Sequence, residues 1–325
     1  MSGGLHILVA DSPEGAGRDL SVELAEFPKG ASVRRHAWNG DEQGLIEAAR
    51  GVDAILTDYV RITPGVIREL ENCRLISIAA TGYDAVDIAA AHAAGIAVCC
   101  VGEYCTDEVA DHAMALMLAL NRRLFDYRDQ VENRLSWAWD EISGLRRLSG
   151  QTLGLVGYGR IGQAVARRAL AFGLSVIAHD PYLDQAPGSD PVSLVTLPAL
   201  LSSSDIISLH CNYDPGTGAI IDRSACDAMR RKPLLINVAR GALVDETALV
   251  DALDSGQVSA AALDVLADEP PALKGHPLAG RGDVILTPHV AFYSEQALHQ
   301  NRVISARNIR YFFEERMDEV FRLVT

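Results

Sequence analysis

Short apolar runs alternate with stretches of helical periodicity along nearly the whole chain, and this alternation is the feature that most constrains the fold. A strand buried on both faces is apolar throughout, and helical crossovers cover both faces of a parallel sheet. The sequence therefore predicts an α/β protein with parallel sheets. In the first part of the chain the strand candidates are Leu5–Ala10, Val52–Thr57, Leu75–Ala79 and Ile96–Cys100.

A second series of apolar runs begins after Gly150. Six strands with intervening helices match the size of a complete dinucleotide-binding fold. We therefore expect a second doubly wound sheet in this part of the chain. Its strand candidates are Thr152–Val156, Leu174–Ala178, Asp205–Leu209, Leu234–Val238, Ala260–Asp264 and Val284–Thr287.

Helical patterns indicate where the two series separate. A long helix follows the first series, and Thr106 is its expected N-cap. The chain becomes helical again over Ser294–Glu315, and a helix there can return to the first series. The sequence thus predicts a discontinuous substrate domain, residues 1–103 and 293–325, interrupted by a cofactor domain, residues 104–292.

Composition excludes several classes of function. The 325 residues carry a formal net charge of −14, and nonspecific nucleic-acid binding needs a basic face instead. The six cysteines form no C-x-x-C pair, so neither a metal site nor a disulfide framework is expected. The first apolar run is too short for a signal peptide or a membrane span. We therefore expect a cytoplasmic protein without a membrane or nucleic-acid partner.

The segment G-Y-G-R-I-G at residues 157–162 directly follows the apolar run Thr152–Val156 and opens a helical pattern. Gly157 would allow a tight turn, Gly159 would let a pyrophosphate approach the backbone, and Gly162 would let the helix pack on the strand. The helix N-terminus would then face the negative phosphates. A chance turn is the alternative if the motif is taken alone.

Asp180 stands at the end of the next strand candidate. A carboxylate there accepts hydrogen bonds from the adenosine ribose hydroxyls and repels a 2′-phosphate. An aspartate before Pro181 can also serve as a simple turn residue. Because strand, glycine loop, helix and terminal acid occur in this order, we interpret the region as a dinucleotide site that prefers NAD over NADP.

Three polar side chains follow three consecutive strand candidates. Arg240 lies in N-V-A-R-G-A-L-V-D-E, Glu269 in D-V-L-A-D-E-P, and His289 in T-P-H-V-A. Singly, each is typical of a solvated arginine, a surface glutamate or a structural histidine. Ligands bind at the carboxyl ends of the strands in open α/β sheets, so the three can converge there.

Their chemistry suits hydride transfer to a ketone. The forming alkoxide needs a proton, and histidine is the usual donor near neutral pH. A carboxylate beside the imidazole orients it and favours its protonated form. A guanidinium can hold a substrate carboxylate by two parallel hydrogen bonds.

Together these segments resemble the D-isomer-specific 2-hydroxyacid dehydrogenase family over nearly all of the chain. Residues 104–112 and 289–296 are similar to the branch that contains the C-terminal-binding proteins. The resemblance implies a Rossmann cofactor domain inserted into a flavodoxin-like substrate domain, and a homodimer. It also implies reversible reduction of a small 2-keto acid by NADH to the D-2-hydroxy acid.

The resemblance implies roles for individual residues. Arg240 would hold the substrate, His289 would be the acid/base, and Glu269 would be its partner. The residues implied to bind substrate are Ala80, Thr81 and Gly82, together with Arg240 and His289. The residues implied to bind the cofactor are Gly157, Gly159, Arg160, Ile161, Gly162, Asp180, Thr106, Cys211, Thr217, Val238 and Asp264.

The chain departs from the commoner family pattern at Ala80, Ala85, Asn212 and Phe292, so the pattern does not define the substrate's side chain. Two alternative functions remain open at this point. One is an NAD-sensing scaffold like the C-terminal-binding proteins, which the lack of a basic patch or a disordered tail disfavours. The other is a phosphoglycerate- or phosphite-type dehydrogenase, for which Arg61 is the candidate basic residue.

Overall fold

The computed structural model contains two α/β units. It describes residues 4–13, 15, 17–213 and 216–324. The first unit extends to Tyr104 and resumes at Ser294, and the second is Cys105–Tyr293. The second unit is therefore an insertion in the first. Each boundary between the units lies one residue later in the chain than the boundary expected from the sequence.

The first unit is built on a parallel sheet. Its strands are β1 (His6–Asp11), β2 (Ser32–Ala37), β3 (Ala54–Thr57), β4 (Leu75–Ile78) and β5 (Ala97–Cys100). They pair in the order β2-β1-β3-β4-β5, which is the flavodoxin-like order. The helices between them are α1 (Ser21–Glu26), α2 (Glu42–Ala49), α3 (Pro64–Arg68) and α4 (Ile88–Ala93).

The edge strand β2 was not predicted from the sequence. Its six residues, S-V-R-R-H-A, contain no apolar run, and none of them is buried. It pairs with β1 from His6 opposite Ser32 to Asp11 opposite Ala37. Because backbone pairing rather than burial creates this strand, hydrophobic periodicity does not identify it.

The second unit contains the larger sheet. Its strands are β6 (Thr152–Val156), β7 (Ser175–His179), β8 (Val192–Leu194), β9 (Ile206–Leu209), β10 (Leu234–Asn237), β11 (Ala260–Leu263) and β12 (Val284–Leu286). The order is β12-β11-β10-β9-β6-β7-β8, and all pairs are parallel. This is the dinucleotide-binding order with one strand added at the far edge. The helices are α5 (Thr106–Asn121), α6 (Leu124–Glu132), α7 (Arg160–Ala171), α8 (Leu197–Ser203), α9 (Arg223–Ala228) and α10 (Glu246–Asp254).

The α/β class with two parallel sheets is confirmed, and the predicted strands lie within two residues of the observed ones. The count of six strands in the second series was wrong, because β8 is a short edge strand without a buried run. Thr106 was also wrong as an N-cap. Cys105 holds the non-helical N-cap position, and Thr106 is already the first helical residue.

The final helix, α11 (Glu295–Phe313), belongs to the first unit and is shorter than predicted. It begins where the Ser294 side chain accepts a hydrogen bond from the Ala297 backbone N–H, which is typical of a serine cap. In the part of the chain that the structure describes, no helix is long and apolar enough to cross a membrane.

Parallel pairing decides where function can lie in the second unit. The buried centre of the sheet is apolar, with Leu155, Ile207 and Ile236 fully buried. The carboxyl ends of all the strands meet at one edge. The segments that follow β6, β7, β9, β10, β11 and β12 are therefore neighbours at that edge.

Candidate active site

The glycine loop at residues 157–162 is shaped by steric limits. Gly157 has φ of +93°, and a Cβ there would lie 2.6 Å from the Cys211 backbone nitrogen. At Gly162, a Cβ would collide with the carbonyl oxygen of Gly157. At Gly159, no heavy atom of the described residues lies within 4 Å of the Cβ position, apart from its chain neighbours. Two of the glycines thus allow close packing, and the third faces open space.

The open space at Gly159 fits a dinucleotide phosphate. Gly159 is the N-cap of α7, whose first residues are Arg160 and Ile161. The first N–H groups of a helix have no partner within the helix, and they attract anions. A side chain at Gly159 would fill this space. The loop therefore has both the room and the donors that a pyrophosphate needs.

Asp180 lies next to the glycine loop and is half-buried. Its Oδ2 accepts a hydrogen bond from the Tyr158 backbone N–H at 2.9 Å, and its Oδ1 accepts one from the Tyr182 backbone N–H at 3.1 Å. The second contact is the turn contact that the sequence left open as an alternative. Since each carboxylate oxygen has two lone pairs, both can still accept ribose hydroxyls.

Cys211 closes the other side of the loop, after β9. Burial, with a smaller contribution from the negative charge of Asp180, raises the pKa of the Cys211 thiol to about 11. The half-buried thiol is therefore neutral near pH 7, and a neutral thiol behaves as a small apolar group. Cys211 can line a site but is not a reactive nucleophile.

Glu269 and His289 meet at the same edge. The His289 Nδ1 lies 2.5 Å from Glu269 Oε2, and their side chains are 31% and 35% exposed, respectively. Burial acts to raise the Glu269 pKa, but the hydrogen bond and charge of His289, the Leu266 N–H and the charge of Arg240 outweigh it and lower the pKa. Glu269 is therefore a carboxylate that orients the imidazole through Nδ1.

Arg240 follows β10 and is fixed by its own segment. The Asn237 side-chain N–H donates to the Arg240 carbonyl at 2.9 Å, and Asn237 Oδ1 accepts from the Ala239 N–H at 3.0 Å. The Arg240 Nη1 donates to the Ala239 carbonyl at 2.8 Å. Next to it, Gly241 lies against the Leu266 carbonyl so closely that no Cβ fits.

The loop that carries Glu269 has an anchor that sequence reasoning missed. Glu246 Oε1 accepts from the Ala267 backbone N–H at 2.8 Å, and its Oε2 lies 3.3 Å from His276 Nε2. Glu269 itself accepts from the Leu266 N–H at 3.1 Å. Glu246 ends the same N-V-A-R-G-A-L-V-D-E segment that supplies Arg240. The position of Glu246 in the same motif as Arg240 could have marked it as a site residue. Its contact with Ala267 could not be predicted from the spacing of the motifs.

Asp264 is almost fully buried, with 1% of its surface exposed. It accepts hydrogen bonds from the Thr287 hydroxyl and from the backbone N–H groups of Val290 and Ala291, the latter two at 2.9 Å. These residues flank His289. The resemblance implied a cofactor contact for Asp264, and the structure shows that it holds the loop of the acid/base candidate.

The other predicted site residues lie in several places. Val238 is buried directly after β10, Thr106 begins α5, and Thr217 is exposed in the segment that follows β9. Ala80, Thr81 and Gly82 follow β4 in the first unit, where the buried Thr81 hydroxyl has no partner among the described residues. Arg61 is exposed in the same unit. Within the described ranges, no group of three or more His, Cys, Asp or Glu could hold a metal ion.

Several known proteins that this chain resembles are named as dehydrogenases or reductases. The family model for the NAD-binding domain of D-isomer-specific 2-hydroxyacid dehydrogenases matches residues 114–291. A glycerate dehydrogenase of Methylorubrum extorquens is 35% identical over 289 residues, which cover 86% of this chain and 88% of that protein. A hydroxypyruvate reductase of Blautia hydrogenotrophica is 34% identical over 281 residues, which cover 84% and 86%. The crystal structure of Aquifex aeolicus D-lactate dehydrogenase with NAD and lactic acid has a TM-score of 0.85 at 28% identity and covers 97% of each chain.

The chain belongs to the D-isomer-specific 2-hydroxyacid dehydrogenase family. As a member, it is an NAD-linked oxidoreductase that transfers hydride between 2-hydroxy acids and 2-keto acids. The prediction of an NAD-dependent enzyme is thereby confirmed. The narrower likeness to the C-terminal-binding-protein branch stays a prediction, since these relatives are metabolic dehydrogenases and reductases.

Proposed function

We propose that Arg240, Glu269 and His289 are the catalytic residues of this dehydrogenase. The observation that carries the proposal is the contact between His289 Nδ1 and Glu269 Oε2 at 2.5 Å. A histidine that is oriented by a carboxylate is the arrangement expected of a general acid and base near neutral pH. The lowered pKa of Glu269 keeps that carboxylate ionised while His289 gains and loses its proton.

In the reductive direction, the protonated His289 donates a proton from Nε2 to the forming alkoxide. Glu269 balances the positive charge of the imidazolium before this step and holds the ring in place during it. Arg240 binds the substrate carboxylate and draws the neighbouring carbonyl into position. NADH, when bound, supplies the hydride. In the oxidative direction, neutral His289 takes the hydroxyl proton.

For the cofactor, we propose that the glycine loop and the helix α7 bind the pyrophosphate and that Asp180 accepts the ribose hydroxyls. The negative charge of Asp180 would repel a 2′-phosphate, so NAD is preferred over NADP. The remaining proposed contacts would line the rest of the cofactor. The complete set is Thr106, Gly157, Gly159, Arg160, Ile161, Gly162, Asp180, Cys211, Thr217, Val238 and Asp264.

For the substrate, we propose a small D-2-hydroxy acid or its keto acid, bound by Arg240 and by the loop Ala80-Thr81-Gly82. The glycerate dehydrogenase and the hydroxypyruvate reductase among the relatives make hydroxypyruvate the first keto acid to test. Phosphoglycerate would need further cationic groups, and Arg61 is the residue whose substitution tests that alternative. Arg61→Ala should leave the kinetics of hydroxypyruvate unchanged.

The deciding experiment compares keto acids with their amides in the wild type and in Arg240→Lys. Lysine keeps the charge but cannot form the two-point contact, so KM should rise and kcat should fall together. The NADH Kd, measured by fluorescence titration, should not change. The proposed anchor is wrong if amides react as well as acids in the wild type, or if Arg240→Lys retains full activity.

We further propose that the protein is a homodimer that forms through the segment at residues 135–139. Leu135, Trp137 and Trp139 are 85%, 91% and 84% exposed, respectively. Large apolar side chains concentrated in one exposed segment are typical of a protein–protein interface. A Trp137→Ser/Trp139→Ser double variant should sediment as a monomer. A wild type that sediments at 34.9 kDa, the mass of one chain, contradicts the proposal.

A further inference from the structure

The helix α5 places a histidine against the loop that carries His289. The His112 Nε2 lies 3.1 Å from Thr287 Oγ1 and 3.5 Å from Asp264 Oδ1. The His112 side chain is only 23% exposed, so water competes weakly for these contacts. The proposed mechanism does not use this histidine.

The direction of the hydrogen bonds can be derived from the donors that are available. The Thr287 hydroxyl has one proton, which it donates to Asp264 Oδ1 at 2.5 Å. Thr287 Oγ1 must therefore accept from His112, and this requires a proton on the Nε2 of His112. The result is a directed chain from His112 through Thr287 to the buried carboxylate of Asp264.

That carboxylate holds both residues that follow His289. Asp264 Oδ1 accepts from the Val290 N–H and Oδ2 from the Ala291 N–H, both at 2.9 Å. The His289 N–H donates to the Asp264 carbonyl at 2.7 Å and to the Thr287 carbonyl at 3.0 Å. The backbone on both sides of the acid/base candidate thus depends on Asp264 and Thr287.

The backbone of His289 needs this support. Its φ is +52°, in the left-handed region that residues with a side chain rarely adopt. A residue held in such a sparsely populated region is strained and persists only where its surroundings fix it. A looser loop would let His289 relax and lose its alignment.

We propose that His112 is a positioning residue for His289 and acts through Thr287 and Asp264. The proposal rests on the proposed role of His289 as the acid/base. In this proposal His112 acts directly on neither the reacting atoms nor Glu269. It orients the Thr287 hydroxyl toward Asp264, and Asp264 then holds the left-handed turn.

The test compares His112→Leu with His112→Gln. Leucine cannot donate, whereas the glutamine amide can place an N–H where Nε2 lies. In His112→Leu, kcat for keto-acid reduction should fall about tenfold, the rate equivalent of one hydrogen bond. The NADH Kd should stay within about twofold, and His112→Gln should recover most of kcat. Thr287→Val keeps the side-chain shape and removes the hydroxyl, so its loss of kcat should equal that of His112→Leu. It provides the same test if His112→Leu fails to fold.

A second measurement separates positioning from general stability. Adding His112→Leu to His289→Ala should not reduce turnover further, because a residue that acts through His289 has nothing left to position. The inference is overturned by full kcat in His112→Leu, by equal losses in the Gln and Leu variants, or by an additive loss in the His289→Ala background. Full activity of His289→Ala alone would instead overturn the proposed function.

Discussion

The glycine loop at residues 157–162 and the acid/base loop at residues 287–291 lie at the same edge of one sheet, but different interactions determine their conformations. The glycine loop depends on absent side chains, because a Cβ at Gly157 would collide with the Cys211 backbone. The acid/base loop depends on a buried polar side chain, Asp264, which accepts three hydrogen bonds from it. We therefore expect the first loop to tolerate no added volume at Gly157 or Gly162, and the second loop to tolerate no loss of its acceptor.

The largest expected effect comes from His289→Ala, which removes the proton donor without adding volume to either loop. Turnover of keto acid should fall by about 10²–10⁴-fold, the usual range for general acid–base catalysis. The NADH Kd should be unchanged, since the glycine loop is intact. Stopped-flow reduction and fluorescence titration measure the two quantities. A parallel loss of NADH affinity would mean that the two loops are not independent.

The variants Gly157→Ala and Gly159→Ala test whether steric limits shape the glycine loop. Gly157→Ala combines a positive φ with a clash against backbone, so the free energy of unfolding should fall by about 3 kcal/mol. Gly159→Ala faces open space at φ of −73°, so its loss should be below about 1 kcal/mol. Its NADH affinity should nevertheless fall, because the methyl group occupies the proposed phosphate position. Urea unfolding and NADH titration of both variants distinguish these outcomes, and equal stability losses would refute the steric account.

Glu269→Gln tests the polar contacts of the acid/base loop through the pH dependence of keto-acid reduction. Reduction needs protonated His289, and the ionised Glu269 favours that form, so the Gln variant should lose reductase activity at lower pH than the wild type. At pH 7, kcat should fall by about tenfold. The lowered pKa of Glu269 also means that its pairing stabilises the fold above the ordinary pKa of 4.5, and that this stability is lost as pH falls through the lowered value. Identical pH–rate profiles for the two proteins would be incompatible with the Glu269–His289 pairing.

The smallest expected effect concerns the cofactor's 2′-position. Asp180→Ser should shift the ratio of kcat/KM for NADH and NADPH toward NADPH by about tenfold, which corresponds to the loss of one charge repulsion. Asp180 also accepts the Tyr158 N–H, so Asp180→Asn is the matched control that keeps an acceptor and removes the charge. Both variants should shift the ratio in the same direction. Equal use of the two cofactors by the wild type would remove the basis for this assignment.

The sequence predicted the interior of the fold well, because buried strands are apolar throughout and their pattern depends only on burial. The strands β2 and β8 were missed because edge strands form by backbone pairing, and their side chains remain outside the core. The start of α5 was misplaced by one residue for a related reason. A threonine before a helix pattern is typical of a cap, but the chain turns into the helix at Cys105 instead.

Within the site, sequence motifs predicted Arg240, Glu269 and His289 because their chemistry requires those residue types. The supporting contacts could not be predicted. His112 and Thr287 are 175 positions apart, and no spacing rule indicates that an imidazole and a hydroxyl meet. The left-handed backbone of His289 is likewise a property of the folded loop and not of the T-P-H-V-A segment.

The exposed segment at residues 135–139 also determines the intrinsic tryptophan fluorescence of the protein. The chain has three tryptophans, and two of them, Trp137 and Trp139, lie in this segment almost fully in water. The third, Trp38, is partly buried against the core of the first unit. In the free chain, the long-wavelength part of the intrinsic fluorescence therefore comes from this one stretch of surface, and burial of the segment in the proposed homodimer shifts the emission toward the blue without an added label.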